Sequence, residues 1–270
     1  MNICFIGGGN IATALIGGML GKGFSAAQIS VIEINADNRV LLQRNFGVRV
    51  YSDISEGIVD SHIVVLAVKP QQLNGVAQQL APALKDQLLI SIAAGVRALD
   101  LARWSNTQAV VRAMPNTPAL IQCGMTGLFA LSAVSATQRE QAQHILTAVG
   151  ECLWVKDEAM LDAITAISGS GPAYVFYFIE ALQQAAIELG FEADQARQLS
   201  LSTFVGASKL AASSSEGVGV LRERVTSKNG TTERALISMT ENHVAEYILL
   251  AAKAAAARAS EMGDELGCSK

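Results

Sequence analysis

The residues best suited to chemistry stand at the amino terminus, which reads MNICFIGGGNIATALI from Met1 to Ile16. Gly7, Gly9 and Ala12 fit the pattern G-x-G-x-x-G/A between a short apolar run and a stretch with helical spacing. The first glycine allows a tight turn, the second lets the backbone approach a pyrophosphate, and the small third residue lets helix pack on strand. The free N–H groups and the dipole of the helix start attract the pyrophosphate. The pattern predicts a dinucleotide site, and an ordinary tight turn is the alternative.

An acidic residue follows the second predicted strand, Gln28–Ile34 (QISVIEI). Glu33 lies about twenty residues beyond the glycine turn, where this motif uses an acid to bind the adenosine ribose hydroxyls and favours NAD over NADP. An exposed glutamate at a strand end is the alternative. Asn35 and Arg39 follow closely and could instead contact a 2′-phosphate, so the sequence leaves the choice between NAD and NADP open.

Apolar runs typical of buried strands alternate with helical stretches through the first half of the chain. They predict an α/β fold, a right-handed, Rossmann-type, doubly wound parallel sheet over residues 1–157. Ligands of such sheets bind beyond the carboxyl ends of the strands, so we expect Ala67 to Gln71 to line the cofactor cleft. The runs after the second strand are Asn45–Tyr51, His62–Val68, Leu88–Ala94, Ala109–Met114, Met125–Leu131 and Glu151–Val155, with a helix over Thr137–Val149 before the last.

After residue 157 no strand-like run remains. Ala181–Leu189, Ala193–Ala212 and His243–Met262 have apolar residues at helical spacing and predict an all-helical carboxyl-terminal domain over residues 158–270. Its alanine-rich faces allow close helix packing, and we expect them to form the subunit interface.

Composition restricts the class of protein. Of 270 residues, 50% are hydrophobic and only 16% are charged, which is high for a soluble monomer and favours an obligate oligomer. The net charge is −4 and the basic residues are scattered, so we expect no nucleic-acid partner. The uncharged apolar run Ala163–Ile179 contains two glycines and a proline, which make it a poor membrane span, and nothing marks secretion. We expect a cytoplasmic protein.

The cysteines and histidines show no ligand spacing, so we predict no metal site. We expect reduced, mostly buried thiols. The residues concerned are Cys4, Cys123, Cys152, Cys268, His62, His144 and His243.

Two polar segments interrupt the helical half: Ser168–Pro172 (SGSGP), and Val225–Glu233 (VTSKNGTTE). Pro172 suits the first turn of a helix. Small hydroxyl and glycine residues at a helix start can hold a carboxylate through N–H groups and hydroxyls. Ordinary turns with Ser/Thr caps are the alternative, because caps and anion sites use the same residue types.

Taken together, these segments resemble the pyrroline-5-carboxylate reductase family. The resemblance is ordered and spans nearly the whole chain, and its most specific parts are the arginine-to-threonine stretch, the SGSGPAY block and the last hydroxyl-rich turn. The matching segments are FIGGGNIATALIGG (Phe5–Gly18), LAVKPQ (Leu66–Gln71), SIAAG (Ser91–Gly95), RAMPNTPALIQCGMTGL (Arg112–Leu128), DAITAISGSGPAYVF (Asp162–Phe176) and VTSKNGTTERAL (Val225–Leu236).

The resemblance implies reduction of L-1-pyrroline-5-carboxylate to L-proline, the last step of proline synthesis, with NADPH, slightly favoured, or NADH. It also implies a dimer of interlocking carboxyl-terminal helices, which can assemble further. Thr232 would face the ring nitrogen as the catalytic residue, and an acidic position near the substrate corresponds to Glu158. The expected substrate-binding residues are Glu158, Ser227, Gly230, Thr231 and Thr232, and the expected cofactor-binding residues are Gly7, Gly9, Asn10, Ile11, Ala12, Glu33, Asn35, Ala67, Val68, Lys69, Pro70, Ala93 and Ala94.

The chain departs from the family pattern in two places. It has Lys228-Asn229 where the family usually has Pro-Gly, and Gly217-Val218 where the family usually has His-Pro. Asn229 can adopt the left-handed conformation that glycine favours, so we expect the turn to survive, with Lys228 in solvent.

Two other classes of protein remain alternatives. A β-hydroxyacid dehydrogenase would place a catalytic lysine soon after a glycine-rich helix start, but no lysine follows Gly171 until Lys209. A non-enzymatic nucleotide sensor would bind the cofactor without turnover.

Overall fold

A computed structural model describes residues 1–268. Its first part alternates strands and helices as the sequence predicts. The elements are β1 (Ile3–Ile6), α1 (Asn10–Gly21), β2 (Ile29–Ile32), α2 (Ala36–Phe46), β3 (Arg49–Tyr51), α3 (Ile54–Gly57), β4 (Ile63–Leu66), α4 (Pro70–Leu80), β5 (Leu88–Ser91), α5 (Ala98–Ser105), β6 (Val110–Met114), β7 (Gly124–Ala130), α6 (Ala136–Leu146), β8 (Gly150–Trp154) and α7 (Met160–Ile164).

The eight strands form one sheet in the order β3-β2-β1-β4-β5-β6-β7-β8. The first six run parallel, as expected for a doubly wound sheet. Strand β7 pairs antiparallel with β6, and β8 runs parallel to β7, so the sheet is mostly rather than wholly parallel. The cause is the short connection from β6 to β7, which holds only a 3₁₀ turn (Thr117–Ile121). A parallel crossover needs a dozen residues or more.

The central strands are buried on both faces. Every residue of β1, β2, β4 and β5 is buried, which is why these strands read as continuous apolar runs. Two apolar clusters cover the faces of the sheet, one around α1 and α6 and the other around α4 and α5. The covered faces leave the strand ends as the places where polar chemistry can occur.

The rest of the chain is helical, as predicted. A π-helical turn (Thr165–Gly169) follows α7 directly. The predicted helix Ala181–Leu189 begins earlier, at Gly171, because Pro172 fits its first turn. The helices are α8 (Gly171–Glu188), α9 (Ala193–Ser213), α10 (Val218–Arg224), α11 (Thr231–Glu241) and α12 (Val244–Gly267).

The chain forms two compact units. One comprises Met1–Ser170 together with the end of α12 from Ala254, and the other comprises Gly171–Lys253. The division after residue 157 remains a prediction. In the helical unit, α8 has no buried residue in the single chain. Large apolar side chains that are exposed on this unit include Phe176, Tyr177, Leu189, Val205, Leu210, Tyr247 and Leu250.

Candidate dinucleotide and substrate sites

A cleft opens beyond the carboxyl ends of β1, β2 and β4. Strand β1 lies between β2 and β4, so the chain order reverses here, which is where open α/β sheets bind their ligands. The cleft has a volume of about 720 Å³. Of the predicted cofactor residues, it is lined by Gly7, Gly9, Glu33, Ala67, Val68 and Lys69, together with Gly8 of the predicted turn. Sequence reasoning missed Ser52, Asp53, Ser55 and Gln72.

The first glycine of the motif, Gly7, is required because the turn lies close against the neighbouring strand ends of the sheet. Gly7 has φ +97°, in the left-handed region, and a Cβ atom on it would lie 2.7 Å from the carbonyl oxygen of Ala67. Its N–H donates to the carbonyl of Ile32 at 2.8 Å, and the N–H of Ala67 donates to that of Ile6 at 2.8 Å. The glycine turn is therefore held tightly against β2 and β4.

The second glycine leaves the space that a ligand needs. Gly9 is the N-cap of α1 and offers no capping side chain. Nothing lies within 4 Å of where its Cβ would be, so this face of the turn is open. The first N–H groups of α1, on Asn10, Ile11 and Ala12, lack partners within the helix. Ala12 is buried and allows α1 to pack on the sheet. These residues fit the pyrophosphate of a dinucleotide.

Glu33 lies against the glycine turn from the β2 side. Its Oε2 accepts from the Gly8 N–H and from Asn38 Nδ2, both at 3.0 Å, and its Oε1 accepts from the Asn35 N–H at 2.9 Å. Burial alone would raise the pKa of this carboxyl, but the hydrogen bonds from Asn35, Gly8, Asn38 and the Ile34 backbone outweigh burial and hold the pKa below its usual range. Glu33 is therefore a carboxylate at neutral pH.

Asp53 is an acidic cleft residue that could have been found from its position after β3. It caps α3 by accepting the Ser55 N–H at 2.7 Å. The hydrogen bonds from the Ser55 hydroxyl and N–H lower the pKa of Asp53.

Several predicted cofactor residues do not line this cleft. Asn35 caps α2, accepting the Asn38 N–H at 2.9 Å, and Pro70 is the first residue of α4. Ala93, which is buried, and Ala94 follow the end of β5, on the other side of β4 from the glycine turn. Their contacts with a dinucleotide remain predictions.

Glu158 has partners that the sequence did not reveal. Its Oε1 accepts from Arg112 Nη1 at 3.0 Å and from the Ala98 N–H, at the start of α5, at 2.7 Å. Arg112 is almost fully buried on β6, and its Nη2 lies 3.5 Å from Asp162 Oδ1. The carboxylate thus neutralises a buried guanidinium and caps a helix. Its predicted contact with substrate remains a prediction.

The hydroxyl-rich turn before α11 has the shape of an anion site. Asn229 has φ +59°, which confirms the left-handed conformation expected of it. The Gly230 N–H donates to the Ser227 carbonyl at 3.0 Å. A Cβ on Gly230 would lie 2.9 Å from that carbonyl oxygen as well as 2.4 Å from Ser227 Oγ, so this position requires glycine. Gly230 is the N-cap residue of α11 and has no side chain to cap the helix. Thr231 and Thr232 are the first two residues of α11.

Lys228 is exposed, in agreement with the expected solvent position. The Asn229 N–H donates to Glu233 Oε2 at 2.6 Å, which ties the turn to the first turn of α11. The first N–H groups of α11 have no partners within the helix and are available to a carboxylate.

The cysteines correct one expectation. All four are free, but only Cys4 is buried; Cys152 is half-buried and Cys123 and Cys268 are exposed, so the expectation of mostly buried thiols was wrong. Burial raises the pKa of both Cys4 and Cys152 to about 11.

Over residues 1–268, no three His, Cys, Asp or Glu side chains come close enough to hold a metal ion. Within the same residues, no helix has the length and hydropathy needed to span a membrane.

In this mostly parallel sheet, the glycine turn and the open start of α1 face a cleft, and an acid lies at the end of β2. These features define a Rossmann-type dinucleotide-binding protein. The family model for NADP oxidoreductases, coenzyme F420-dependent, matches residues 2–95. The model for pyrroline-5-carboxylate reductase dimerisation matches residues 158–262.

Comparison of whole chains defines the family. Pyrroline-5-carboxylate reductase of Pseudomonas aeruginosa is 46% identical over 98% of both chains, and that of Pasteurella multocida is 40% identical over 97% of both. The chain belongs to the pyrroline-5-carboxylate reductase family.

Solved structures agree over the whole chain. A pyrroline-5-carboxylate reductase from Coxiella burnetii superposes with a TM-score of 0.93 at 39% identity, over 97% of this chain and 98% of that one. The Plasmodium falciparum enzyme with NADP bound gives a TM-score of 0.86 at 28% identity, with the same coverage. This similarity favours the reductase over a β-hydroxyacid dehydrogenase.

Proposed function

We propose that this protein reduces L-1-pyrroline-5-carboxylate to L-proline with a hydride from NADPH or NADH, the last step of proline synthesis. The observation that carries the proposal is the 46% identity to a named reductase over nearly the whole of both chains. The open glycine turn and the helix start at Gly230 support it, because a dinucleotide and a carboxylate are both anions.

The glycine turn and α1 hold the dinucleotide. Gly9 leaves room for the pyrophosphate, and the N–H groups of Asn10 and Ile11 face it from the helix start. Bound nicotinamide supplies the hydride, so the task of the protein is to provide position and polarity.

The turn before α11 holds the substrate. The N–H groups of Thr231 and Thr232 and the hydroxyl of Ser227 bind its carboxylate, and the Thr232 hydroxyl forms a hydrogen bond with the ring nitrogen. A protonated imine is already electrophilic, so no strong protein acid is needed. This agrees with the residues of the turn, none of which is a histidine or an aspartate.

The first test is nicotinamide oxidation with pyrroline-5-carboxylate, with NADH and NADPH run in parallel. We expect Thr232→Ala to lower turnover while dinucleotide affinity is unchanged. Thr240→Ala is the matched control, because Thr240 lies at the other end of α11 and its hydroxyl donates to the Leu236 carbonyl at 2.9 Å. Equal turnover of the two variants would remove Thr232 from the mechanism. Cofactor binding without turnover by the native chain would instead favour a nucleotide sensor.

The protein acts as a homodimer formed through its helical unit, and such dimers can assemble further. An 18-residue helix with no buried residue, α8, is unusual for a folded chain, and it exposes Phe176 at 66% and Tyr177 at 70%. A second copy of the chain would cover these side chains. We also propose a cytoplasmic location, in keeping with a biosynthetic reaction on small soluble molecules.

Sedimentation tests the dimer. We expect Phe176→Asp to dissociate it, because the new charge would be buried between subunits. Val59→Asp is the matched control, since Val59 is an equally exposed apolar residue of the sheet unit, at 71%. Equal sedimentation of both variants and the native chain would exclude α8 from the interface.

A further inference from the structure

We infer that the end of α12 positions the loop between β5 and α5 for hydride transfer, and that Arg97 is the positioning residue of this contact. The β5–α5 loop comprises residues 92–97 and contains Ala93 and Ala94, two of the residues expected to bind the coenzyme. The inference rests on the proposed use of a nicotinamide dinucleotide and adds the element that holds this loop in place. Both the loop and the end of α12 belong to the sheet unit.

The β5–α5 loop lies at the edge of the sheet where ligands bind. It follows the carboxyl end of β5, which is separated from β2 by β1 and β4. A dinucleotide lies across the point where the strand order reverses. With the pyrophosphate at α1 and the adenosine ribose toward Glu33 after β2, the nicotinamide half extends toward β4 and β5. The position of the loop therefore affects the nicotinamide rather than the adenosine half.

Gly95 lets α12 approach the loop closely. It is buried and has φ +80°, in the left-handed region. A Cβ atom on it would lie 3.0 Å from Leu266 Cδ1 and 3.4 Å from Met262 Cβ. Leu266 also packs on the apolar cluster around α4 and α5. Apolar side chains of α12 thus cover the turn of the loop.

Arg97 fastens the end of the loop to α12. Its Nη2 lies 2.7 Å from Asp264 Oδ1, but the two side chains are 40% and 66% exposed, so water screens their charges. Packing contributes more. Gly263 is buried, and a Cβ on it would lie 3.0 Å from Arg97 Nε and 3.3 Å from the Gly95 carbonyl oxygen. The absence of a side chain at Gly263 therefore makes room for the guanidinium and the loop backbone.

The start of α5 is held from two directions. The Ala98 N–H, directly after Arg97, donates to Glu158 Oε1 at 2.7 Å. Arg103 Nη2 donates to the Gly267 carbonyl at 3.2 Å, which fixes the last turn of α12 on α5. Such anchoring matters for catalysis, because a displacement of about 1 Å at a reacting group can cost about a hundredfold in rate.

Steady-state kinetics of full-length variants test the inference. We expect Arg97→Ala to lower kcat about fivefold and Gly263→Leu about tenfold, because each lets the loop shift by a fraction of 1 Å. With the transferred hydride replaced by deuteride, the primary isotope effect on kcat should rise above its native value, since hydride transfer becomes slower relative to the other steps. Loss of folded protein would lower kcat and leave the isotope effect unchanged. Arg97→Lys, which keeps the charge, should recover part of the loss.

Binding provides a readout that needs no turnover. Titration calorimetry compares NADH with ADP-ribose, which lacks the nicotinamide, and then the same pair carrying a 2′-phosphate. Both variants should weaken the complete dinucleotide about fivefold and leave the fragment unchanged. Arg258→Ala is the matched control, because Arg258 also pairs with acids of α12, with Glu261 at 3.1 Å and Glu265 at 2.7 Å, but lies outside the loop. We expect it to change neither kcat nor the ratio of affinities.

Three results would overturn the inference. Native kcat and native dinucleotide affinity in both Arg97→Ala and Gly263→Leu would show that α12 does not position the loop. Equal weakening of the dinucleotide and its fragment, or an effect of Arg258→Ala as large as that of Arg97→Ala, would leave α12 a structural role only. If the native protein binds the dinucleotide without turnover, the proposed reduction fails, and the ratio of affinities still decides the role of the loop. If neither ligand binds, both proposals fail.

Discussion

Replacing Glu158 with alanine tests whether this residue is a structural brace. The substitution removes the nearest partner of the buried Arg112 guanidinium and the acceptor of the Ala98 N–H. Removing one member of a buried ion pair costs about 3–5 kcal/mol in general. The Glu158 side chain is 18% exposed, and Asp162 stays 3.5 Å from Arg112, so we expect a smaller loss than this range, about 2–3 kcal/mol.

Urea denaturation at fixed protein concentration measures this loss, with thermal melting as a second readout. A loss of about 2–3 kcal/mol corresponds to a fall of about 5–10 °C in Tm for a chain of this size. Glu158→Gln keeps an oxygen for the Ala98 N–H and Arg112, so it should lose less. Glu140→Ala, on the exposed face of α6, should lose almost nothing.

Kinetics of the same variants separate the brace from a substrate contact. If Glu158 acts only by supporting β6 and α5, Glu158→Gln should leave the KM for pyrroline-5-carboxylate unchanged at a temperature where it is folded. A stability equal to that of Glu140→Ala would refute the reasoning. A raised KM with native stability would establish the substrate contact that the family resemblance implies.

Two further predictions concern the helix starts. Gly230→Ala should lower kcat/KM for pyrroline-5-carboxylate in steady-state assays without changing dinucleotide affinity. The reason is that the alanine Cβ would lie 2.4 Å from Ser227 Oγ and would distort the turn at Thr232. A native kcat/KM in this variant would contradict the geometry. The pKa of Glu33 is lower in the folded chain than in the unfolded chain, so its ionised carboxylate stabilises the fold at pH values above the ordinary glutamate pKa. This stabilisation is lost as the pH falls through the pKa of Glu33 in the folded chain. The stability difference between the native protein and Glu33→Gln in urea should therefore shrink from pH 7 toward about pH 3, and a constant difference would contradict the pKa direction.

Local patterns account for most of what could be predicted. Apolar runs bounded by Gly and Pro gave the strands correctly, because burial on both faces leaves no place for polar side chains. The glycine spacing located the turn beside β4, since Gly7 and Gly9 meet requirements of backbone geometry that depend on near neighbours. The left-handed Asn229 was predictable for the same reason.

Features that depend on distant residues could not be predicted. The antiparallel direction of β7 depends on its pairing with β6 at the end of a short connection. The exposure of Cys123 depends on where its turn lies on the surface of the fold. The partner of Glu158, Arg112, is 46 residues away in the chain, so no spacing rule connects the two.

The sequence by itself determined the fold class, the glycine turn and the family, because periodicity, turn chemistry and ordered motifs are properties of the chain. Only the tertiary structure decided how the acids are used. Glu33 is held ionised against the glycine turn because Gly8, Asn35 and Asn38 converge on it, and Glu158 neutralises Arg112 because β6 and α5 meet there. Hydrogen-bond partners and burial arise from packing in three dimensions, and these decide what a carboxylate can do.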